Sequence, residues 1–464
     1  MNYPLWEVPN LGGSWVIGII AIVHIYVSHF AVGGGAWLAV VEHLAYKKND
    51  ERLYEYLRSH SKFFVLVTTV FGAVTGVGIW FSISLVNPDG TAALIQIFTL
   101  GWAEEYLFFV AELATAFAYY YTWNTLSKEK HLRLAKLYFA FSVFTLVIIN
   151  GIITFQLTPG GWLESKNWLH GFFNETYWPS LFIRLLIMFA IAGMYGLVTA
   201  TRIKDEHLRT YMVRFCARWL MPVFFLGPII GFWYLSNIPQ ASVSTIFEGI
   251  QSSGIGNFSI LARALYLCLI LSGTVLIFAY VGPYLNPRGF TFRIALMFMV
   301  CGLMVTGSAE WMREMLRKPY VIYNYMYSNG IRKTEVPELQ KKNFFNATRW
   351  HTASADPVAQ GKTVFKYQCM SCHTESGYRS MKKLLGERDK EAIVSFLELM
   401  KETDPKKNPY SGLMPPFVGD QEDMDKLATY LASINNSSTK NQASTKTKTK
   451  PKTKDKKRVA SKAE

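Results

Sequence analysis

A short segment near residue 370 combines residue types and a spacing that can attach a porphyrin. Cys369, Cys372 and His373 form the pattern Cys-x-x-Cys-His. Two thiols at this spacing bind a c-type haem covalently, and the adjacent imidazole becomes one axial ligand of the iron. A redox-active dithiol is the alternative, but that motif normally lies between a strand and a helix and lacks the following histidine. The pattern therefore predicts one covalent haem c.

The second axial ligand is expected from a methionine further along the chain. A thioether is the usual partner of histidine in cytochromes c of high potential. Met414 lies in Gly-Leu-Met-Pro-Pro-Phe and is the predicted ligand; Met400 and Met424 are the alternatives. With the helix signals on both sides, residues 355–436 resemble a class I cytochrome c.

The rest of the chain has the composition of an integral membrane protein. Half of its 464 residues are apolar and 15% are aromatic. Apolar runs long enough to cross about 30 Å of hydrocarbon follow one another from residue 14 to residue 312. We predict an all-α fold, a polytopic transmembrane helix bundle of about eight spans with a class I cytochrome c domain at its carboxyl end. The expected spans are 14–46, 63–86, 102–126, 137–158, 179–202, 211–235, 258–282 and 291–312.

Four segments follow from this division. Residues 1–325 are the membrane domain, 326–354 a linker, 355–436 the cytochrome domain and 437–464 a lysine-rich tail. The tail lacks aromatic residues and cannot bury a core, so we expect it to be disordered. Much of the net charge of +15 lies in this tail and in short loops. The charge therefore does not indicate a nucleic-acid partner.

The charges of the loops predict the orientation in the membrane. Loops after the first, third, fifth and seventh spans are basic. The alternate loops 87–101, 159–178 and 236–257 together contain a single lysine, Lys166, and no arginine. Basic loops lie in the cytoplasm, which places the amino terminus outside. An even number of spans then brings the cytochrome domain to the same side, where bacteria attach haem c. We expect a multi-pass protein of the bacterial inner membrane whose amino terminus and cytochrome domain face the periplasm.

Ionisable residues within the spans are costly, so each is a functional candidate. His24 in the first span can ligate haem iron or form hydrogen bonds within the bundle. Glu42 and His43 near the end of that span are expected at the interface. Glu104 and Glu112 lie eight residues apart in the third span. They are either a proton relay or two neutralised acids bonded to neighbouring helices.

A set of short motifs follows the order found in subunit I of cytochrome bd-type oxygen reductases, which residues 14–325 resemble. The motifs are His24 with Val27 and Gly33, Gly72-Ala-Val-Thr-Gly76, Glu104 with Glu112, Asn150-Gly151, Phe292-Arg293-Ile294 and Glu314-Met-Leu-Arg317-Lys-Pro319-Tyr320. The resemblance implies that His24 and Glu314 ligate one or two high-spin haems, haem b and/or haem d. It also implies that Glu104 and Glu112 belong to the region that supplies protons or holds a haem.

Three departures from the family pattern concern electron input. Arg184 and Ala295 stand where the family has the histidine and methionine ligands of a low-spin haem b. The long quinol-binding loop is replaced by residues 236–257. The resemblance therefore implies a branch without this haem and without direct quinol oxidation, in which haem c receives the electrons.

The resulting functional prediction is a cytochrome c-linked, bd-like terminal oxygen reductase. Its electron donor would be a periplasmic c-type cytochrome or a similar carrier, and other membrane subunits are expected in the lipid bilayer. Two alternatives stay open: a non-catalytic electron-transfer subunit of a larger respiratory complex, and a nitric oxide reductase.

Overall fold

The computed structural model describes residues 5–244, 257–348 and 354–447, and the chain divides into two compact units. The first unit comprises Met1–Glu7, Gly13–Val336 and Pro409–Pro415. The second comprises Val8–Gly12, Pro337–Asn408 and Pro416–Glu464. The predicted ligand Met414 therefore belongs to the first unit, whereas His373 belongs to the second.

The first unit is a bundle of long helices, as predicted. Seven helices or continuous helix pairs are long and apolar enough to cross a membrane, and a bent pair makes up to eight, within the described part of the chain. The helices are α1 (Gly13–Lys48), α2 (Glu51–Val65), α3 (Gly72–Val86), α4 (Pro88–Ile97), α5 (Thr99–Tyr121), α6 (Lys128–Thr154), α7 (Trp162–Ser165), α8 (Trp168–Phe172), α9 (Tyr177–Ala200), α10 (Glu206–Asn237), α11 (Asn257–Ala279) and α12 (Phe292–Leu316).

Helix starts in the bundle coincide with residues that cap free backbone N–H groups. The side chain of Asp50 accepts hydrogen bonds from the first turn of α2, and Ser127 does the same for α6. Asp205 and Thr291 cap α10 and α12. These polar residues divide an otherwise apolar chain into separate spans.

The third span differs from the prediction of a single helix over 102–126. Asn87 and Pro88 start the short helix α4, which meets α5 at an angle of 85°. Helix α5 has 23 residues and ends at Tyr121. At about 1.5 Å per residue it is about 35 Å long, enough to cross the hydrocarbon alone.

Two helical stretches have the wider π geometry. Leu66–Phe71 joins α2 to α3 within one span, and Tyr280–Leu285 continues α11. Such turns are rare and often lie at functional sites. The first of them directly precedes the turn that faces His24.

Helix α1 lies at the centre of the bundle and packs against α3, α6, α9 and α12. Its glycines permit close approach of neighbouring helices. A Cβ atom at Gly33 would lie 2.0 Å from the carbonyl oxygen of Met188 on α9. Any side chain at this position would therefore push the two helices apart.

The expected linker 326–354 is structured over most of its length. After α12, strands β1 (Tyr320–Ile322) and β2 (Met326–Tyr327) pair antiparallel, with Tyr320 opposite Tyr327. The 3₁₀ turn Lys333–Glu335 and helices α13 (Val336–Leu339) and α14 (Phe344–Ala347) follow. Residues 349–353 lie outside the described residues.

The second unit is a small helical domain formed by α15 (Pro357–Gln368), α16 (Met381–Leu385), α17 (Lys390–Lys401) and α18 (Gln421–Thr447). Helices α15 and α18 cross where a Cβ atom at Gly361 would lie 2.0 Å from the carbonyl oxygen of Lys426. The fully buried Asp423 accepts a 3.1 Å hydrogen bond from the backbone N–H of Phe345.

The predicted domain boundary at residue 436 is not a helix end. Helix α18 continues to Thr447, eleven residues beyond that boundary. The physical reason is that no glycine or proline occurs between Gly419 and Pro451, so nothing in the sequence ends the helix. The rest of the predicted disordered tail, residues 448–464, lies outside the described residues.

Candidate functional site

The Cys-x-x-Cys-His segment forms a tight turn at the end of α15. The backbone N–H of Cys369 donates to Phe365, and those of Cys372 and His373 donate to the carbonyl oxygen of Cys369 over 3.1 and 3.0 Å. Neither cysteine is in a disulfide, and both side chains are half-buried. Burial raises the pKa of the Cys369 thiol to about 12, so this side chain stays protonated when no haem is attached to it.

The His373 ring is oriented as an iron ligand requires. Its Nδ1 lies 3.1 Å from the carbonyl oxygen of Arg379, which can only accept a hydrogen bond. Nδ1 therefore carries the proton, and Nε2 keeps its lone pair for a metal. Burial lowers the pKa of His373, and the hydrogen bond to Arg379 opposes this. The residues present thus fit a covalent haem c.

The methionine candidates differ in their burial. Met400 and Met424 are packed in the domain interior, with exposed fractions of 5% and 0%, whereas Met414 is half-buried. Gln368, just before Cys369, donates to the carbonyl oxygen of Val418 over 2.6 Å and accepts from its N–H over 3.1 Å. This double hydrogen bond ties the haem-attachment turn to the irregular segment that follows Met414 in sequence. The axial role of Met414 stays a prediction.

In the membrane unit, His24 lies against α3. Its Nδ1 lies 3.1 Å from the hydroxyl of Thr75, which itself donates to backbone carbonyls, and its Nε2 lies 3.2 Å from the Ser28 hydroxyl. Ser28 can turn its proton to its own helix, where the carbonyl oxygen of His24 is 2.8 Å away. Nδ1–H is therefore the donor, and Nε2 can ligate iron, which fits the predicted role.

His29, a second ionisable residue of the first span, was given no specific role from the sequence, and its ring is oriented by the backbone. The Nδ1 of His29 donates to the carbonyl oxygen of Ile25 over 2.7 Å. Its Nε2 is buried and has no hydrogen-bond partner. His29 lies five residues after His24, about 140° around the helix, so the two imidazoles project from different faces of α1. A polar atom left unpaired in a core calls for an explanation, and a bound ligand or water is one.

Glu314 lies near the end of α12 between two cations. One carboxylate oxygen accepts from Arg317 at 2.9 Å, and the other pairs with Lys318 at 3.0 Å. The two cations favour the charged form of the carboxylate, and its side chain is 39% exposed. A charged carboxylate is the form that ligates iron, and the predicted role fits.

The third-span glutamates are separated by the structure. Glu112 is buried and accepts a 2.9 Å hydrogen bond from the Tyr138 hydroxyl, whereas the side chain of Glu104 is exposed. Eight residues turn a helix about 80° beyond two full turns, but seven residues return to within about 20° of the same face. Glu105, which is half-buried, therefore shares the face of Glu112. From the sequence, Glu104 rather than Glu105 was expected to act together with Glu112.

Arg184 and Ala295 are buried where the family pattern has haem ligands. Arg184 donates from Nε to the Ser180 hydroxyl over 3.4 Å, and Ala295 has no exposed surface. Neither side chain offers a lone pair to iron at neutral pH, which agrees with the expected loss of this low-spin haem. That loss stays a prediction. The shortened loop 236–257 lies largely outside the described residues.

The described residues contain no group of three or more His, Cys, Asp or Glu side chains able to hold a metal ion on their own. A haem needs fewer protein ligands, since its porphyrin already supplies the other donors. The candidate site thus consists of isolated ligands, of which His24, His373 and Glu314 are oriented by hydrogen bonds or ion pairs.

Comparison with known proteins addresses both units. Residues 358–435 match the cytochrome c family. This segment is a cytochrome c domain. The solved structure of bd oxidase from Geobacillus thermodenitrificans is similar to the chain, with a TM-score of 0.57 and 16% identity over 67% of this chain and 87% of that chain. No curated protein matches the chain.

The chain thus joins a haem-binding cytochrome c domain to a membrane-type helix bundle whose fold is similar to that of the bd oxidase. The all-α fold, the helix bundle and the carboxyl-terminal cytochrome domain are confirmed. At 16% identity the similarity to the bd oxidase concerns the fold and not the activity.

Proposed function

We propose that this protein is a cytochrome c-linked terminal oxygen reductase of the bd type. The observation that supports it is the union, in one chain, of a bd oxidase-like bundle with a cytochrome c domain. Electrons would enter through the cytochrome domain from a periplasmic c-type cytochrome or similar carrier. Partner membrane subunits are part of the proposal.

Four side chains are assigned to the irons. His373 and Met414 would hold haem c, attached through the two cysteines, while His24 and Glu314 would hold one or two high-spin haems b and/or d. When bound, these groups supply the electron transfer and the oxygen chemistry. The chain's own contribution is to orient each ligand: Arg379 fixes the ring of His373, and the cations beside Glu314 keep it ionised.

Proton supply is assigned to the third span. The Tyr138 hydroxyl lies 2.9 Å from Glu112 and 3.1 Å from the carbonyl oxygen of Ala31. Because a carbonyl oxygen only accepts, the single Tyr138 proton goes either to Ala31 or to Glu112. When it goes to Ala31, Glu112 itself must carry a proton to keep its contact with Tyr138. The pair can therefore hold and release a proton, and Glu104 remains part of the proposed route.

We place the basic end of the bundle in the cytoplasm and the cytochrome domain in the periplasm of a bacterial inner membrane. The loop charges and the extracytoplasmic attachment of haem c support this orientation. A reporter enzyme that works only after export, fused after Thr447, should be active. Activity of a cytoplasm-specific reporter at the same position would contradict the orientation.

The catalytic proposal is tested on the purified holoprotein with its partners. The reduced protein should bind CO at a membrane haem, and His24→Ala should abolish that signal while leaving haem c intact. Glu112→Gln keeps the shape but removes the ionisable carboxyl, so it should slow oxygen consumption with reduced cytochrome c by about 10²-fold or more without changing haem c reduction.

Glu129→Gln is the control for Glu112→Gln. Glu129 is exposed on α6 and pairs with Arg133, so its replacement should leave the rate unchanged. A wild-type protein that neither binds CO nor consumes oxygen would favour the electron-transfer subunit instead. Consumption of nitric oxide in place of oxygen would favour the nitric oxide reductase.

A further inference from the structure

A buried polar cluster at the basic end of the bundle is not used by the proposed mechanism. Glu42, expected from the sequence to be interfacial, has no exposed surface. Its carboxylate oxygens bond to His131 Nδ1 at 2.7 Å and to the Tyr119 hydroxyl at 2.8 Å. Helices α1, α5 and α6 each supply one member of this triad, Glu42, Tyr119 and His131.

The hydrogen bonds of the triad determine where its protons lie. His131 Nε2 is 2.9 Å from the carbonyl oxygen of Tyr119, which only accepts, so Nε2 carries a proton. Tyr119 donates its own proton to Glu42. A further proton must then lie between His131 Nδ1 and Glu42, because two lone pairs 2.7 Å apart would repel. No carbonyl group fixes the position of this shared proton, so it can lie on either His131 Nδ1 or Glu42.

Two members of the triad border a cavity of about 270 Å³. Glu42 and His131 lie in its wall, and the surrounding charged groups are Glu51, Glu55 and Arg58 on α2 and Lys128 on α6. The hydroxyl of Tyr54, also in the wall, is buried without a hydrogen-bond partner. A cavity of this size and polarity can hold several waters, and the unpaired hydroxyl offers one of them a contact.

Helix α5 connects the triad with the interior of the bundle. Glu105, Glu112 and Tyr119 follow one another at intervals of seven residues. They therefore form a stripe on one face of the helix, with steps of about 10.5 Å along its axis. Water must bridge each step, since hydrogen-bonded oxygen atoms lie about 2.8 Å apart.

We propose that the cavity and the triad Glu42–Tyr119–His131 form the proton-uptake site of this protein, which passes protons from the basic end of the bundle along the α5 stripe to Glu112. This inference rests on the proposed function, because oxygen reduction is what consumes the protons. Only a proton moves here: it enters from cavity water, occupies the His131–Glu42 contact and leaves toward Glu112. Glu51 and Glu55 at the cavity attract cations, while Arg58 and Lys128 limit the net negative charge.

The test uses the holoprotein with its partners in lipid vesicles. Glu42→Gln keeps the volume of the side chain but cannot take the shared proton. We expect oxygen turnover to fall at least about tenfold and the solvent deuterium isotope effect on turnover to rise, because proton uptake becomes limiting. CO binding and haem c reduction should stay at wild-type levels. Tyr119→Phe, which removes one hydroxyl and keeps the ring, should give a smaller effect of the same kind.

Glu129→Gln again serves as the control, since it lies on the same helix as His131 but outside the cavity lining. Wild-type turnover and isotope effect in both Glu42→Gln and Tyr119→Phe would overturn the inference. Should Glu42→Gln fail to fold, the result with Tyr119→Phe decides.

A second measurement does not depend on oxygen chemistry. The infrared difference spectrum between wild type and Tyr119→Phe, recorded after transfer to D₂O, reports how quickly the triad exchanges its protons. Exchange within seconds is expected, and exchange slower than an hour would overturn the inference. If the wild-type protein consumes no oxygen, the proposed function fails, and this exchange rate alone decides whether the uptake site exists.

Discussion

The double hydrogen bond between Gln368 and Val418 leads to a prediction about haem c. Gln368→Leu keeps a side chain of similar length but removes both the donor and the acceptor. The backbone N–H and carbonyl of Val418, which is fully buried, would then lack partners. The segment that follows Met414 in sequence would lose its fixed position beside the haem-attachment turn.

The size of the effect follows from the two groups left unpaired. A buried polar group without a partner costs about 1–3 kcal/mol, so the domain should lose about 2–6 kcal/mol. For a domain of this length, 1 kcal/mol corresponds to about 4–8 °C in Tm, so a decrease of at least about 8 °C is expected. The haem should stay attached because both cysteines remain.

The assay follows haem c absorbance in the full-length protein during heating and during a redox titration. Gln368→Leu should lower both the melting temperature and the reduction potential of haem c, the second because a loosened Met414 ligates iron less firmly. Gln360→Leu is the matched control. Gln360 lies on the same helix, and its side chain donates a hydrogen bond to the carbonyl oxygen of Ser354, away from Val418.

The two readouts separate the two parts of the reasoning. An unchanged melting temperature in Gln368→Leu would refute the structural role of the double hydrogen bond. A lower melting temperature with an unchanged potential would instead refute Met414 as the ligand that this segment positions.

Three further predictions concern helix contacts and the glutamate pair. Gly33→Ala should destabilise the bundle by about 1–3 kcal/mol through overpacking, which would be measured as aggregation at a lower temperature in detergent. Gly18→Ala is the control: no atom lies within 4 Å of its Cβ position, so this change should be neutral or slightly stabilising. Gly361→Ala should lower the melting temperature of the haem c absorbance for the same steric reason, and an unchanged value would show that the helices can separate freely. Tyr138→Phe removes the hydroxyl partner of Glu112 and should slow oxygen turnover at unchanged haem content; a wild-type rate would exclude the hydroxyl from proton transfer.

The parts of the fold that the sequence predicts are those set by local patterns. Apolar length alone identifies the spans, and the spacing of Cys369, Cys372 and His373 identifies the haem-attachment turn, because all its partners lie within a few residues. The bend before α5 could be anticipated only in part. Asn87 and Pro88 start a helix, but nothing local requires the change of direction at Phe98.

The polar contacts within the membrane unit were harder to predict. Glu42 and His131 lie 89 residues apart in sequence, and only the packing of α1 against α6 brings them together. Helical geometry could have distinguished Glu105 from Glu104, since seven residues return to one face and eight do not. The sequence therefore identified α5 as the helix that carries the glutamates, but not which of its faces lies inside the bundle.

The π-helical segment Leu66–Phe71 has a consequence for how this span can change during evolution. A π turn accommodates one residue more than an α turn, so deleting a single codon there would restore a regular helix without breaking it. Because the wider turn takes up the extra residue, the deletion would leave α3 at nearly the same rotation relative to α2, and Thr75 would still face His24. Deleting one residue from the regular α-helical part of the span would instead rotate α3 by about 100° and turn Thr75 away from His24. The π segment is therefore the place where this span can change its length by one residue and keep the orientation of the site.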